Sequence, residues 1–295
     1  MKALNNKGNS LQSLADLQAA LSQHGLAQAS YAASIAAYDA ALERAPNYVY
    51  ALNNKGLSLQ RLAILQAALS QHGLAQATYG ESIAAFDAAL ERAPDYVKAL
   101  NNKGNSLQRL ADLLVQQEQI ESAIACFGMT LASWHRALEI APADSRLRER
   151  YQTLVSWLQS VCQSLQESIS ADDEASEDVD RLMAKSQALT LQAKLQMILA
   201  QPDAALESYE AAIATYETAL AIVPDSVQCL YSIGESYLQL AVLIQEQQPD
   251  QAQTDAEKAL EYWNTAAELA PDNVALREER DGLLSLLQPD PSTAE

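Results

Sequence analysis

An all-α repeat solenoid is the fold this sequence predicts, and three observations predict it. The hexapeptide Ala-Leu-Asn-Asn-Lys-Gly stands at Ala3–Gly8, at Ala51–Gly56 and at Ala99–Gly104, a period of 48 residues. Residues 3–48 and 51–96 differ at only eight positions, and Pro46, Pro94 and Pro142 keep the same step. Ala, Leu, Gln and Glu dominate, against 9 Gly and 9 Pro in 295 residues, a composition that favours helix. Self-similarity at a fixed period means stacked units, none of which can bury its apolar face alone.

Each 48-residue unit reads as a pair of helices. In the first they span 3–22 and 26–45, turning at Gly25; in the second, 49–70 and 74–93, turning at Gln71-His72-Gly73. The third keeps the motif over 97–116 and, after a degenerate turn, continues over 119–140 with Trp134 and Ala137 before Pro142. There the period breaks. The next matching proline is Pro224, 82 residues on, which leaves room for one repeat and an inserted helix at 144–169. Leu182-x2-Lys185-Ser186-x2-Leu189 then repeats the first-helix motif with Ser for Gly, and helices at 181–199, 203–222, 226–246 and 252–269 complete a fourth and a fifth unit. A capping helix is expected at 273–287. The expected modules are 1–170 and 181–287, joined by an acidic linker at 171–180 and followed by a disordered tail at 288–295.

The residues of each unit resemble a tetratricopeptide repeat, whose pattern runs Trp-x2-Leu-Gly-x2-Tyr, then Ala-x3-Phe, then Pro. The second unit reads Leu52, Lys55, Gly56, Leu59, then Ser82, Phe86, Ala89, Pro94; the last reads Leu230, Ile233, Gly234, Tyr237, then Ala259, Trp263, Ala266, Pro271. The glycine marks a close helix crossing, with Phe86 filling the space beside it. The resemblance implies a right-handed superhelix of helical hairpins with the first helices on the concave side, and a protein-binding role. The family unit is 34 residues, and the excess here lies around Gly73, so both helices are expected to be about two turns longer at 3.6 residues per turn. Lys7, Lys55 and Lys103 stand where the family usually has Leu and read as snorkelling side chains.

Charge narrows the function. The chain carries 38 Asp+Glu against 19 Lys+Arg, which argues against nucleic acid or an anionic membrane as the main partner. Residues 1–110 hold 9 basic and 7 acidic residues, so the excess of negative charge lies beyond them. Cys126, Cys162 and Cys229 lie far apart without metal-ligand spacing, consistent with reduced, buried thiols and a cytoplasmic protein. The sequence shows no apolar run resembling a signal peptide and no 18-residue apolar stretch expected to span a bilayer, so membrane insertion is not expected. Near-identical units offer no single set of nucleophile, base and oxyanion donors, so the expected protein is not an enzyme and holds no metal or cofactor.

If the first helices line the concave side, as the resemblance implies, a polar stripe faces the groove: Asn5, Asn9, Gln12 and Asp16, then Asn53, Leu57, Gln60 and Ile64, then Asn101, Asn105, Gln108 and Asp112. Amides supply donor and acceptor together, which suits a peptide main chain; the alternative is that Asn here is background in the family. Arg61 and Arg109 stand beside the stripe, and Asn9/Leu57, Ser13/Arg61 and Asp16/Ile64 are three of the eight differences between units one and two. Some family members clamp a carboxylate; the corresponding slots here hold Asn5, Asn9, Asn54, Lys98 and Asn102, two cations short. His24 and His72 read as caps at helix C-termini. The expected activity is therefore binding of a protein or peptide, with an acidic segment favoured, in the groove of units one to three. The alternative is self-association through helix 3–22, which starts without a polar cap and would give a homo-oligomer.

Overall fold

The computed structural model describes residues 1–171 and 178–287, which form twelve α-helices and no strand. They are α1 (Lys2–Ala20), α2 (His24–Arg44), α3 (Val49–Ala68), α4 (His72–Arg92), α5 (Val97–Gln116), α6 (Ile120–Ile140), α7 (Ser145–Ala171), α8 (Val179–Ile198), α9 (Pro202–Ile222), α10 (Val227–Ile244), α11 (Pro249–Leu269) and α12 (Val274–Leu287). Five hairpins, α1–α2, α3–α4, α5–α6, α8–α9 and α10–α11, account for ten of them. Both helices of the early hairpins are 19 to 21 residues long, the added length expected around Gly73. The chain divides into two compact units, Met1–Ser156 and Trp157–Glu295, so the division falls inside α7 rather than in the acidic segment.

In the first unit one contact repeats. Leu65 of α3 inserts among Ala15, Ala27 and Tyr31 of the preceding hairpin, and Leu113 of α5 inserts among Ala63, Ala75 and Tyr79. Small residues make the socket and a leucine 48 positions on makes the knob, so a single sequence period fixes the stacking. Within each hairpin the glycine is a packing requirement: a Cβ on Gly56 would come within 2.7 Å of the Phe86 ring, and one on Gly8 within 2.5 Å of Tyr38. Gly104 and Gly234 meet Trp134 and Trp263 in the same way.

Four expectations change. His24 and His72 open α2 and α4 instead of closing the helices before them. The left-handed residue of each turn is Ser22 (φ 58°) or Ser70 (φ 59°), followed in the other long turns by Glu118 and Ala200, while no glycine among the described residues has positive φ. The Gln23 N–H donates to Gln18 O at 2.8 Å and the Ser22 N–H to Ala19 O at 3.0 Å, a Schellman closure, so the helix ends before the glycine arrives. Second, the acidic linker is shorter than expected: Ala171 ends α7, Asp178 caps α8 by accepting from the Asp180 N–H at 3.0 Å, and Val179 and Asp180 are helical. Its residues 172–177, like the tail 288–295, lie outside the described residues.

Third, α10 is by length and composition apolar enough to cross a bilayer, contrary to expectation. Here it serves as a core helix, burying Cys229, Leu230, Ile233, Leu240, Ala241 and Ile244 against α9 and α11. Fourth, Lys55 and Lys103 do not merely snorkel. They pair with Asp39 at 2.7 Å and Asp87 at 2.6 Å across successive hairpins, which removes their charge from the groove.

Candidate functional site

The predicted stripe divides into a buried part and an open part. Asn5, Asn53 and Gln60 are only 5–6% exposed, because successive first helices pack through their amides. Asn54 Nδ2 donates to Asn5 Oδ1 at 3.2 Å and to Asn9 Oδ1 at 3.1 Å, and Asn102 Nδ2 repeats the bond to Asn53 Oδ1 at 3.2 Å. Gln60 Nε2 donates to Ser106 Oγ at 2.9 Å, and Ser106 pairs with Ser82 at 3.0 Å. Burying an amide without a partner would cost about 1–3 kcal/mol, so these groups are satisfied by stacking the repeats. The structure therefore corrects the expectation that Asn5 and Asn53 face a ligand. Asn9 is exposed but already accepts from Tyr38 Oη at 2.7 Å.

The open part is a concavity of about 570 Å³ between α3 and α5, closed at one end by α7. Leu57, Gln60, Arg61 and Ile64 line it from α3; Asn102, Asn105, Gln108, Arg109 and Asp112 from α5; Arg150 from α7. Six of the predicted site residues thus meet there: Leu57, Gln60, Arg61, Asn105, Gln108 and Arg109. Asn101 sits at its edge, accepting from Arg150 Nη1 at 3.4 Å. Lys98 is exposed and stands outside it, as do Asn5, Asn9 and Asn53.

Electrostatics distinguish the three arginines. Arg61 approaches Asp16 at 3.8 Å. One repeat later the position of Asp16 is Ile64, so Arg109 has lost the corresponding carboxylate and makes no ion pair among the described residues. Arg150 is held over the Trp134 ring at 4.5 Å to the centroid and donates to Asn105 Oδ1, so its partners are neutral. Burial, with Arg109 nearby, lowers its pKa from the usual guanidinium value, and the Asp144 carboxylate offsets that only in part. Asp112, three positions beyond Arg109, is the one carboxylate in the lining; burial raises its pKa and Arg109 partly offsets that. Burial, helped by the Asp112 carboxylate and opposed by Arg109, pushes the Tyr79 phenol up to about 12.

Arg150 is not legible from the repeats, because it lies beyond the third proline on the helix that breaks the period. The available signal is the cluster Arg146, Arg148, Arg150 in an otherwise acidic part of the chain. The three differences between units one and two, by contrast, put Leu57, Arg61 and Ile64 into the lining. No group of three or more His, Cys, Asp or Glu with metal-binding geometry occurs among the described residues. The three cysteines are free and buried, and burial raises the Cys126 and Cys162 thiols.

Residues 203–240, covering most of α9 and much of α10, match the family model described as a TPR repeat. No curated protein matches the chain significantly. Among solved structures, TTC0263, a thermophilic TPR protein of Thermus thermophilus, is 15% identical over 94% of this chain and 99% of its own, with a TM-score of 0.30. The S. pombe nuclear import adaptor Nro1 is 13% identical over 94% and 99%, with a TM-score of 0.41. YrrB, a TPR protein with an unusual peptide-binding site, is 15% identical over 83% and 97%, with a TM-score of 0.27. At such scores no site residue transfers from these structures. The chain thus carries a TPR repeat at residues 203–240, set among helical hairpins that share its glycine–aromatic crossing at Gly8, Gly56, Gly104 and Gly234.

Proposed function

We propose that the chain is a non-catalytic protein-interaction scaffold whose first unit holds a partner's peptide segment in the concavity between α3, α5 and α7. The observation that carries this reading is the convergence of Arg109 and Arg150, neither with a carboxylate partner within salt-bridge distance, beside the apolar side chains of Leu57 and Ile64. Such a surface accepts a segment that presents a carboxylate next to an aliphatic side chain. Gln108 and Asn105 stand within the same lining to meet main-chain groups.

The test is capture of partners from the native cell by wild type and by Arg109→Glu. Arg109 is exposed and belongs to no buried contact, so the variant keeps its helical circular dichroism. The expected result is loss of captured protein from the variant and from wild type at high salt, since exposed charge pairs are screened. Undiminished capture by Arg109→Glu overturns the reading.

A specific observation favours a second reading, self-association through α1. Leu17 occupies the position of Leu65 and Leu113, yet it is 57% exposed where they are 7% and 4%. Leu14 and Leu21 beside it are exposed too. Two copies meeting through this face would bury the knobs, and sedimentation over a wide concentration range distinguishes the readings. Mass that rises with concentration for wild type but not for Leu17→Glu supports self-association.

A further inference from the structure

We propose a second binding site, in the unit Trp157–Glu295, for an extended peptide segment bearing lysine or arginine. Its place follows from the topology. Helix α7 belongs to none of the five hairpins, and where its C-terminal half meets α8 and α9 it leaves a concavity of about 720 Å³.

The lining is built from amides. Gln159, Gln163 and Gln166 fall at helical spacing on α7 and face into the concavity. From α8, Gln192 and Gln196 do the same at i and i+4. Helix α9 contributes Ala204, Ser208 and Ala211, whose short side chains keep the space open. Gln196 accepts from Ser208 Oγ at 2.8 Å. Gln192 is only 5% exposed as a residue, but its amide makes no hydrogen bond among the described residues and keeps contact with the open concavity. A ligand that meets such an amide takes the place of the water it would otherwise bind. A peptide main chain offers the matching N–H and C=O at a spacing that an amide can bridge.

Length and charge define the segment further. The α7 stripe from Gln159 to Ser170 extends about 16 Å at 1.5 Å per residue, which is about five residues of extended chain at 3.3 Å each. Glu207 stands in the lining, and the unit as a whole holds 25 acidic against 6 basic residues. That field repels acidic segments and attracts basic ones. The two proposed sites therefore take ligands of opposite charge, and neither proposal depends on the other.

The experiment is fluorescence anisotropy on the full chain with fluorescein-labelled Ser-Lys-Ser-Lys-Ser. Saturable binding is expected, with no binding of Ser-Glu-Ser-Glu-Ser. Main-chain N-methylation of the lysine peptide should weaken it by about tenfold, since that removes the donors while keeping the charge. Gln192→Leu should weaken binding by about fivefold, and Ala204→Trp, which fills the concavity from the α9 side, should abolish it. Arg109→Glu in the other unit should leave it unchanged. Absence of saturable binding overturns the proposal. So does equal affinity for the N-methylated peptide, because charge alone would then account for binding, or wild-type affinity in Ala204→Trp.

Discussion

Single residues decide both how tightly the hairpins close and what the groove can hold. A Cβ at Gly56 has no room against the Phe86 ring, so Gly56→Ala should destabilise the first unit by about 1–3 kcal/mol. Denaturant unfolding measures this, and an unchanged midpoint would show that the helices can part without penalty. Gly80 differs in kind: it lies mid-helix in α4, exposed, with nothing within 4 Å of the Cβ position, and the first repeat has Ala32 there. Gly80→Ala should raise stability by about 1 kcal/mol through helix propensity alone. Tyr79 makes the fold sensitive to alkali. Its phenol is pushed up to about 12, whereas an unfolded tyrosine ionises near about 10. The folded chain thus keeps the proton longer, so the contribution is intact below about pH 10 and is lost as pH rises from there to about 12. Tyr79→Phe should flatten that decline, as read by the midpoint of base unfolding.

At the scale of helices, the period and the proline step are sufficient to place the six helices of the first three hairpins, because stacking demands the same residue types at the same interval. Leu65 and Leu113 with their alanine–tyrosine sockets are that demand in atoms. The turns are not legible in the same way. Gly25 and Gly73 attract a C-cap reading, but they fall three residues too late, and the backbone adopts positive φ at Ser22 and Ser70 instead. A sequence pattern shows which residue suits that conformation but not which residue the hydrogen bonds of the preceding helix select. Ser70→Gly should therefore stabilise by about 1 kcal/mol, since a left-handed non-glycine residue is strained by about that amount. A fall in the thermal midpoint would mean that the serine side chain contributes more than its backbone costs. The amide stripe misleads for a related reason: Asn5, Asn53 and Gln60 look solvent-facing on one helical wheel, and burial appears only when the next first helix is placed against them.

For the whole molecule, the division of charge is the property with the widest consequences. Residues 1–156 hold 13 basic and 13 acidic residues, so the entire net charge of −19 resides beyond them. On the proposed reading the groove of the first unit would take an acidic segment through Arg109 and Arg150, which no ion pair between repeats consumes among the described residues. The sequence leads to Arg61 and Arg109 because they recur with the period. It cannot lead to Arg150, whose guanidinium reaches the site only through the course of α7 and its stacking on Trp134. The most direct measurement is isothermal titration of the full chain with the acidic, aliphatic peptide Glu-Leu-Glu-Leu-Glu, for wild type and for Arg109→Glu with Arg150→Glu. Binding to wild type that weakens with added salt and is lost in the double variant, with helix content retained, is the result expected. Equal binding by wild type and the double variant would contradict the assignment of this concavity as the ligand site.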